Sequence, residues 1–173
     1  YLLRVVGEPE APADDGAWHQ RLVGLGLMVA RDDGEPVCSI AGLALFGHSP
    51  RHKMRYAGVR WMSFSGTDMS YQAQDDSVVD GPLVGLWTGD HGQPPVGDGL
   101  IEHLSSRMKP FIEVQSDELQ NGLRRDTGLR FAAEAVREAM VNALVHRDWT
   151  RPVEVEIVNY ADRLEVTSPG ALQ

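Results

Sequence analysis

A chain of 173 residues, 42% hydrophobic and 24% charged, is long enough for a sizeable core in one or two units and is neither disordered nor fibrous in composition. Its 16 basic against 25 acidic side chains give a net charge of -9, a field that repels phosphate backbones and argues against a large nucleic-acid footprint. The single cysteine, Cys38, excludes an internal disulfide and any cysteine-rich zinc site, and no apolar run nears the roughly 18 residues that a membrane helix needs.

The opening YLLRVVGEPEAPADDG has neither the basic start nor the long apolar core of a signal peptide. The expectation is therefore a cytoplasmic protein with no membrane partner. A start at Tyr1 and a stop just after a strand-like segment read as an internal fragment of something longer.

In chain order, residues 1–16 are Pro-, Gly- and acid-rich and read as a linker. Residues 17–28, AWHQRLVGLGLM, read as a short helix weakened by two glycines, and ARDDGEP as a turn. VCSIAGLALFGHSP is an apolar run whose length fits either a buried helix or a buried strand. The basic run RHKMR, with Arg51, His52, Lys53 and Arg55, is either a phosphate contact or an ordinary solvated turn. YAGVRWMSFSG, rich in aromatic and β-branched residues, reads as a strand. Trp61, Trp87 and the FGH segment are expected in the core, and Cys38, which sits in an apolar run, is expected to be inert.

QPPVGDG marks the expected boundary, separating an α/β middle segment at 17–97 from a second domain at 98–173. Beyond it, LIEHLSSRMK reads as an amphipathic helix, FIEVQ as a strand and NGLRRDTGLR as a turn-bounded strand. The chain holds no internal repeat.

The next helix carries the most information. At 100° per residue, Ala132, Val136, Ala139, Met140, Ala143 and Leu144 share one face, expected to pack on a sheet, with Thr127 as N-cap. Glu134, Glu138, Asn142 and His146 form a four-residue row opposite, and His146 falls where a cap at the helix end belongs. PVEVEIV then alternates Val153, Val155 and Ile157 against two glutamates; NYADR turns the chain, and LEVTSPG returns with Leu164 and Val166 on the same side. A carboxylate can orient or deprotonate water, and an amide oxygen beside it can hold Mg²⁺, so Glu138 and Asn142 suit phosphoryl transfer. The plain alternative is a solvated helix face. The six histidines are scattered without metal-ligand spacing.

EAVREAMVNALVHRDWTRPVEVEIVNYADRLEVTSPGAL resembles a region shared by RecG-related, ATP-dependent helicase-like proteins and Schlafen/Alba-type transcriptional regulators. In that family a helix of the form REAxxNAxxHRD precedes a hairpin ending in PGxL. Here Arg137, Glu138, Ala139, Asn142, Ala143, His146, Arg147 and Asp148 match the helix, and Asp162, Arg163, Glu165, Pro169, Gly170 and Leu172 match the hairpin. AGLALFGHSP, SFSGTD and DGPL resemble the family's preceding segment. The resemblance implies a nucleic-acid-binding Alba-like domain before this stretch, hence DNA as a partner, and an incomplete GHKL ATPase-type domain over residues 98–173. No P-loop is present.

Carried over from GHKL ATPases, Glu138 would be the catalytic, water-orienting carboxylate and Asn142 the Mg²⁺ ligand. His146, Ser168 and Gly170 would line the ATP site. The aspartate that accepts the adenine amino group in that superfamily is absent, its place reading Thr167, Ser168, Pro169, Gly170. The expected fold is therefore α+β, with mixed helix and sheet layers and the start of a GHKL-like helix-on-sheet sandwich at the C-terminal end. The expected function is a DNA-associated transcriptional regulator carrying a degenerate GHKL-like module for nucleotide binding or assembly, with a homo-oligomer left open. The alternative is an active Mg²⁺-dependent ATPase.

Overall fold

The structure is a computed structural model that describes residues 11–86, 97–115 and 127–170. It is α+β, with helices and, among the described residues, three sheets. Two compact units divide the chain, Tyr1–Ala57 with Asp80–Leu100, and Gly58–Val79 with Ile101–Gln173. One break, between Leu100 and Ile101, falls beside the expected 93–99 boundary, of which residues 93–96 lie outside the described residues; the departure is that Gly58–Val79 joins the second unit. Hydrogen bonding causes the departure. The first strand of the second unit pairs with a strand nearly a hundred positions further on, so the polypeptide visits the second unit twice.

In the first unit, α1 (Asp15–Gly24) begins earlier than the expected helix because Asp14 caps it, its carboxylate accepting from the Ala17 N–H at 2.8 Å. Asp15 and Gly16 therefore belong to a helix rather than to a linker. β1 (Met28–Val29) and β2 (Val37–Cys38) form an antiparallel pair around the ARDDGEP turn. Ser39 resolves the helix-or-strand ambiguity of the apolar run: its hydroxyl accepts from the Gly42 N–H at 3.0 Å, ending the strand and starting α2 (Ile40–Phe46). α2 is short and buries only Gly42 and Ala44, leaving Phe46 and His48 exposed, so FGH is not core. Cys38 is exposed as well, since a two-residue edge strand covers little. A Cβ on Gly42 would stand 2.0 Å from the Leu27 carbonyl oxygen, so α2 and the start of β1 approach backbone to backbone.

The second unit is built on a four-stranded mixed sheet in the order β4–β3–β7–β8. β3 (Val59–Ser63) and β4 (Asp75–Val79) form an antiparallel pair; β7 (Val155–Asn159) lies parallel to β3 and antiparallel to β8 (Leu164–Thr167). Because side chains alternate, Val59, Trp61, Val155, Ile157, Leu164 and Val166 share one face. On that side, α3 (Leu100–Ile112) buries Leu104, Met108 and Ile112 at four-residue intervals, and its Phe111 ring meets Trp61 at 5.8 Å. β5 (Glu113–Gln115) pairs with β6 (Thr127–Leu129), and α4 (Ala133–Val145) follows.

The opposite face holds a small apolar cluster of Met62, Phe64, Val158 and Tyr160 beside Arg60, which pairs bidentately with Asp76 at 2.9 and 3.0 Å. Asp75, on the helix side, receives Arg107 of α3 at 2.7 and 2.8 Å and the Trp61 indole N–H at 3.1 Å. Trp87 lies outside the described residues. Among the described residues, no helix is long and apolar enough to cross a membrane.

Candidate functional site

α4 buries Val136, Met140, Ala143 and Leu144 as its periodicity requires, while Ala139 is half-buried and Ala132 exposed. Ala132 occupies the N-cap position and has no capping side chain; Thr127 lies in β6, too early to cap. The β7 face begins one pair later than the alternation suggested, because Val153 precedes the ladder and is exposed. Leu164 and Val166 do face the same way as Val155 and Ile157.

The polar row lies on the open side of α4. Glu138, Asn142 and His146 are exposed, and the Asn142 amide donates to a Glu138 carboxylate oxygen at 3.0 Å. That geometry holds the carboxylate and amide side by side, as metal or water chemistry would need; it is equally what a solvated i, i+4 pair forms. His146 closes the helix through its backbone N–H, which donates to the Asn142 carbonyl at 3.0 Å.

The segment after β8 is clamped to the end of α4. The Ser168 hydroxyl donates to the Ala143 carbonyl at 2.7 Å, and the Asp148 N–H donates to the Pro169 carbonyl at 2.7 Å. Gly170 comes so close that a Cβ there would sit 2.5 Å from the His146 carbonyl oxygen. The five residues singled out by the sequence thus lie along one helix half and one turn: Glu138, Asn142 and His146 on α4, and Ser168 and Gly170 on the turn docked against it.

The HRDW stretch supplies the clamp. Arg147 is buried, donates to the Val153 carbonyl at 2.9 Å and stands 4.4 Å over the Trp149 ring. Burial pushes its pKa down, opposed by Glu154 and Asp148. The Asp148 carboxylate accepts from the Thr150 hydroxyl at 2.6 Å and the Thr150 N–H at 2.9 Å; these bonds, the hydroxyl's foremost, hold its pKa below the ordinary value.

Sequence reasoning missed a polar chain, buried at Ser63 and Asn159, at the C-terminal ends of the parallel strands. Asn159 donates to the Ser63 hydroxyl at 2.9 Å, Ser63 reaches Gln74 at 3.2 Å, and Arg130, just before α4, donates to the Asn159 side chain and to the Ala161 carbonyl. Ser63 and Asn159 are register partners, so the only advance signal was a polar residue ending each strand. A cavity of about 240 Å³ lies between α3 and α4, lined by Met108, Ile112, Val136, Met140, Lys109 and others, on the buried side of α4 rather than beside the polar row. Among the described residues, no group of three or more His, Cys, Asp or Glu could hold a metal ion.

No protein-family model matches the chain, and no curated protein matches it. Among solved structures, the DIP2311 protein from Corynebacterium diphtheriae is similar, with a TM-score of 0.53 and 21% identity over 90% of this chain and 27% of that one. A likeness at that identity concerns the fold alone, and this chain spans about a quarter of that protein's length.

Proposed function

We propose that the second unit is a degenerate GHKL-like module of a cytoplasmic, DNA-associated transcriptional regulator of the RecG-related, Schlafen/Alba-type family, serving in assembly and not in ATP turnover. A helix carrying Glu-x-x-x-Asn, backed by a mixed sheet and followed by a hairpin that returns to the helix end, supports the GHKL-like reading. The observation that carries the loss of function is the Ser168–Ala143 hydrogen bond. At the turn where an ATPase would offer a carboxylate to adenine, the side chain is a serine, and its proton is committed inward to the helix. A neutral hydroxyl lacks the charge-assisted strength of a carboxylate acceptor. Glu138 and Asn142 sit on an exposed face, where water screens the charges that phosphoryl transfer would have to stabilise.

Titration of ATP with and without Mg²⁺, alongside a turnover assay, tests this. The expected result is no ATP hydrolysis and nucleotide binding no tighter than about 1 mM, or roughly 4 kcal/mol. Hydrolysis that falls on Glu138→Gln, with Mg²⁺ dependence lost on Asn142→Ala, would instead establish an active Mg²⁺-dependent ATPase.

A further inference from the structure

The basic run of the first unit plays no part in that reading. Residues 36–67 contain no aspartate or glutamate, yet hold Arg51, Lys53, Arg55 and Arg60 in a chain of net charge -9. Two consecutive turns carry the first three. Pro50–His52 is a 3-10 turn, in which the His52 N–H donates to the Ser49 carbonyl at 3.1 Å. The Lys53 and Met54 N–H groups then return to the Pro50 carbonyl at 3.1 and 2.8 Å, and the Ala57 N–H to the Met54 carbonyl at 2.8 Å. Pro50 and Ala57 are buried and Met54 half-buried, whereas His52, Lys53 and Arg55 are exposed. The fold therefore anchors this segment by its apolar residues, holds Arg51 half-buried, and turns Lys53 and Arg55 outward.

We propose that residues 50–55 form a docking ridge for the phosphate backbone of a nucleic acid. This rests on the reading of the chain as part of a DNA-associated protein. No ion pair among the described residues includes Lys53 or Arg55, so both can meet phosphate without first giving up a carboxylate. Hydrogen-bonded turns fix the backbone beforehand, which lowers the ordering cost of binding. Lys53 and Arg55 lie exposed along a turn, two positions apart. That arrangement suits an extended polyanion better than a single small phosphate. The acidic remainder of the chain weakens long-range attraction, but charges beyond about 8 Å are largely screened at physiological salt, and contact is decided by the local cations. Binding is accordingly weak, independent of sequence and strongly salt-dependent.

The test is binding of this chain to a mixed-sequence DNA duplex over about 50 to 200 mM salt, before and after Lys53→Ala with Arg55→Ala. Each phosphate contact contributes a slope of roughly -0.9 in log affinity against log salt, so the double variant should lose about 1.8 from the slope. Arg31→Ala with Lys109→Ala removes the same charge at exposed positions elsewhere and should leave the slope unchanged. DNA binding that survives the ridge substitution, or no binding even at the lowest salt, overturns the ridge; the ATP titration tests the module reading separately. Attachment to phosphatidylserine vesicles through Lys53 and Arg55, with DNA ignored, overturns the nucleic-acid assignment.

Discussion

Asp75→Ala is the sharpest probe of how the second unit is held together. One carboxylate, itself only 11% exposed, serves three donors: two from Arg107 and the indole N–H of Trp61, whose side chain is fully buried. Removing it leaves the Trp61 N–H with no acceptor in a dry setting, and a stranded buried donor costs about 1–3 kcal/mol. Arg107 is half-exposed and regains water when its partner is removed, so its side of the bridge adds little. Asp75→Ala should therefore destabilise markedly more than Arg107→Ala, while Asp75→Asn, which keeps an oxygen for the indole, should fall between them. Urea unfolding followed by tryptophan fluorescence and circular dichroism gives the ordering. The reasoning is wrong if Asp75→Ala proves no worse than Arg107→Ala.

The same carboxylate should appear in the pH dependence of stability, because hydrogen bonds from Arg107, above all other causes, hold its pKa below the reference value of 3.8. A depressed folded pKa means that its contribution is complete above that value and disappears as the pH falls through the folded one. The stability gap between wild type and Asp75→Asn should then be constant near neutrality and shrink below about pH 4. For α4, Leu144→Ala should cost about 3 kcal/mol or more and Met140→Ala only about 2, since Met140 already borders the cavity and leaves less new void; equal thermal midpoints would contradict this. Gly42→Ala should destabilise the first unit by about 1–3 kcal/mol, because the added methyl meets a carbonyl that already accepts the Ser39 N–H; unchanged hydrogen-exchange protection in α2 would refute it.

Periodicity made α4 and the β7–β8 hairpin legible, because each buries one face and advertises it at the proper spacing. β4 was not legible. Its inward positions are Asp75, Ser77 and Val79, and an aspartate facing a core is intelligible only once Trp61 and Arg107 are seen to satisfy it. The apolar run at 37–50 was undecidable by length; the Ser39 hydroxyl, a single capping bond, divided it into strand and helix. Val153 misled because alternation continues past the last ladder partner, and Ala132 because a helix face extends on paper beyond the helix. At the candidate site, the Glu138–Asn142 pairing follows from spacing alone. The inward bond of Ser168 does not, since it depends on a turn docking against a helix 25 positions earlier.

The parallel pairing of Val59 with Val155 has a consequence for how this polypeptide must be made. Closing a loop of that length carries a length-dependent entropy of about 4 kcal/mol, and such non-local pairings form slowly. During synthesis at roughly 5–20 residues per second, the β3–β4 hairpin waits on the order of 5–20 seconds for the strand that will cover its inner edge. Through that interval Val59, Trp61 and Met62 have no permanent neighbours on one side. An excised piece beginning near residue 98 would face the converse problem without relief: β7 and β8 would be present, but the strand that should lie at the centre of their sheet would have been discarded, and the orphaned edge would seek a substitute in another molecule.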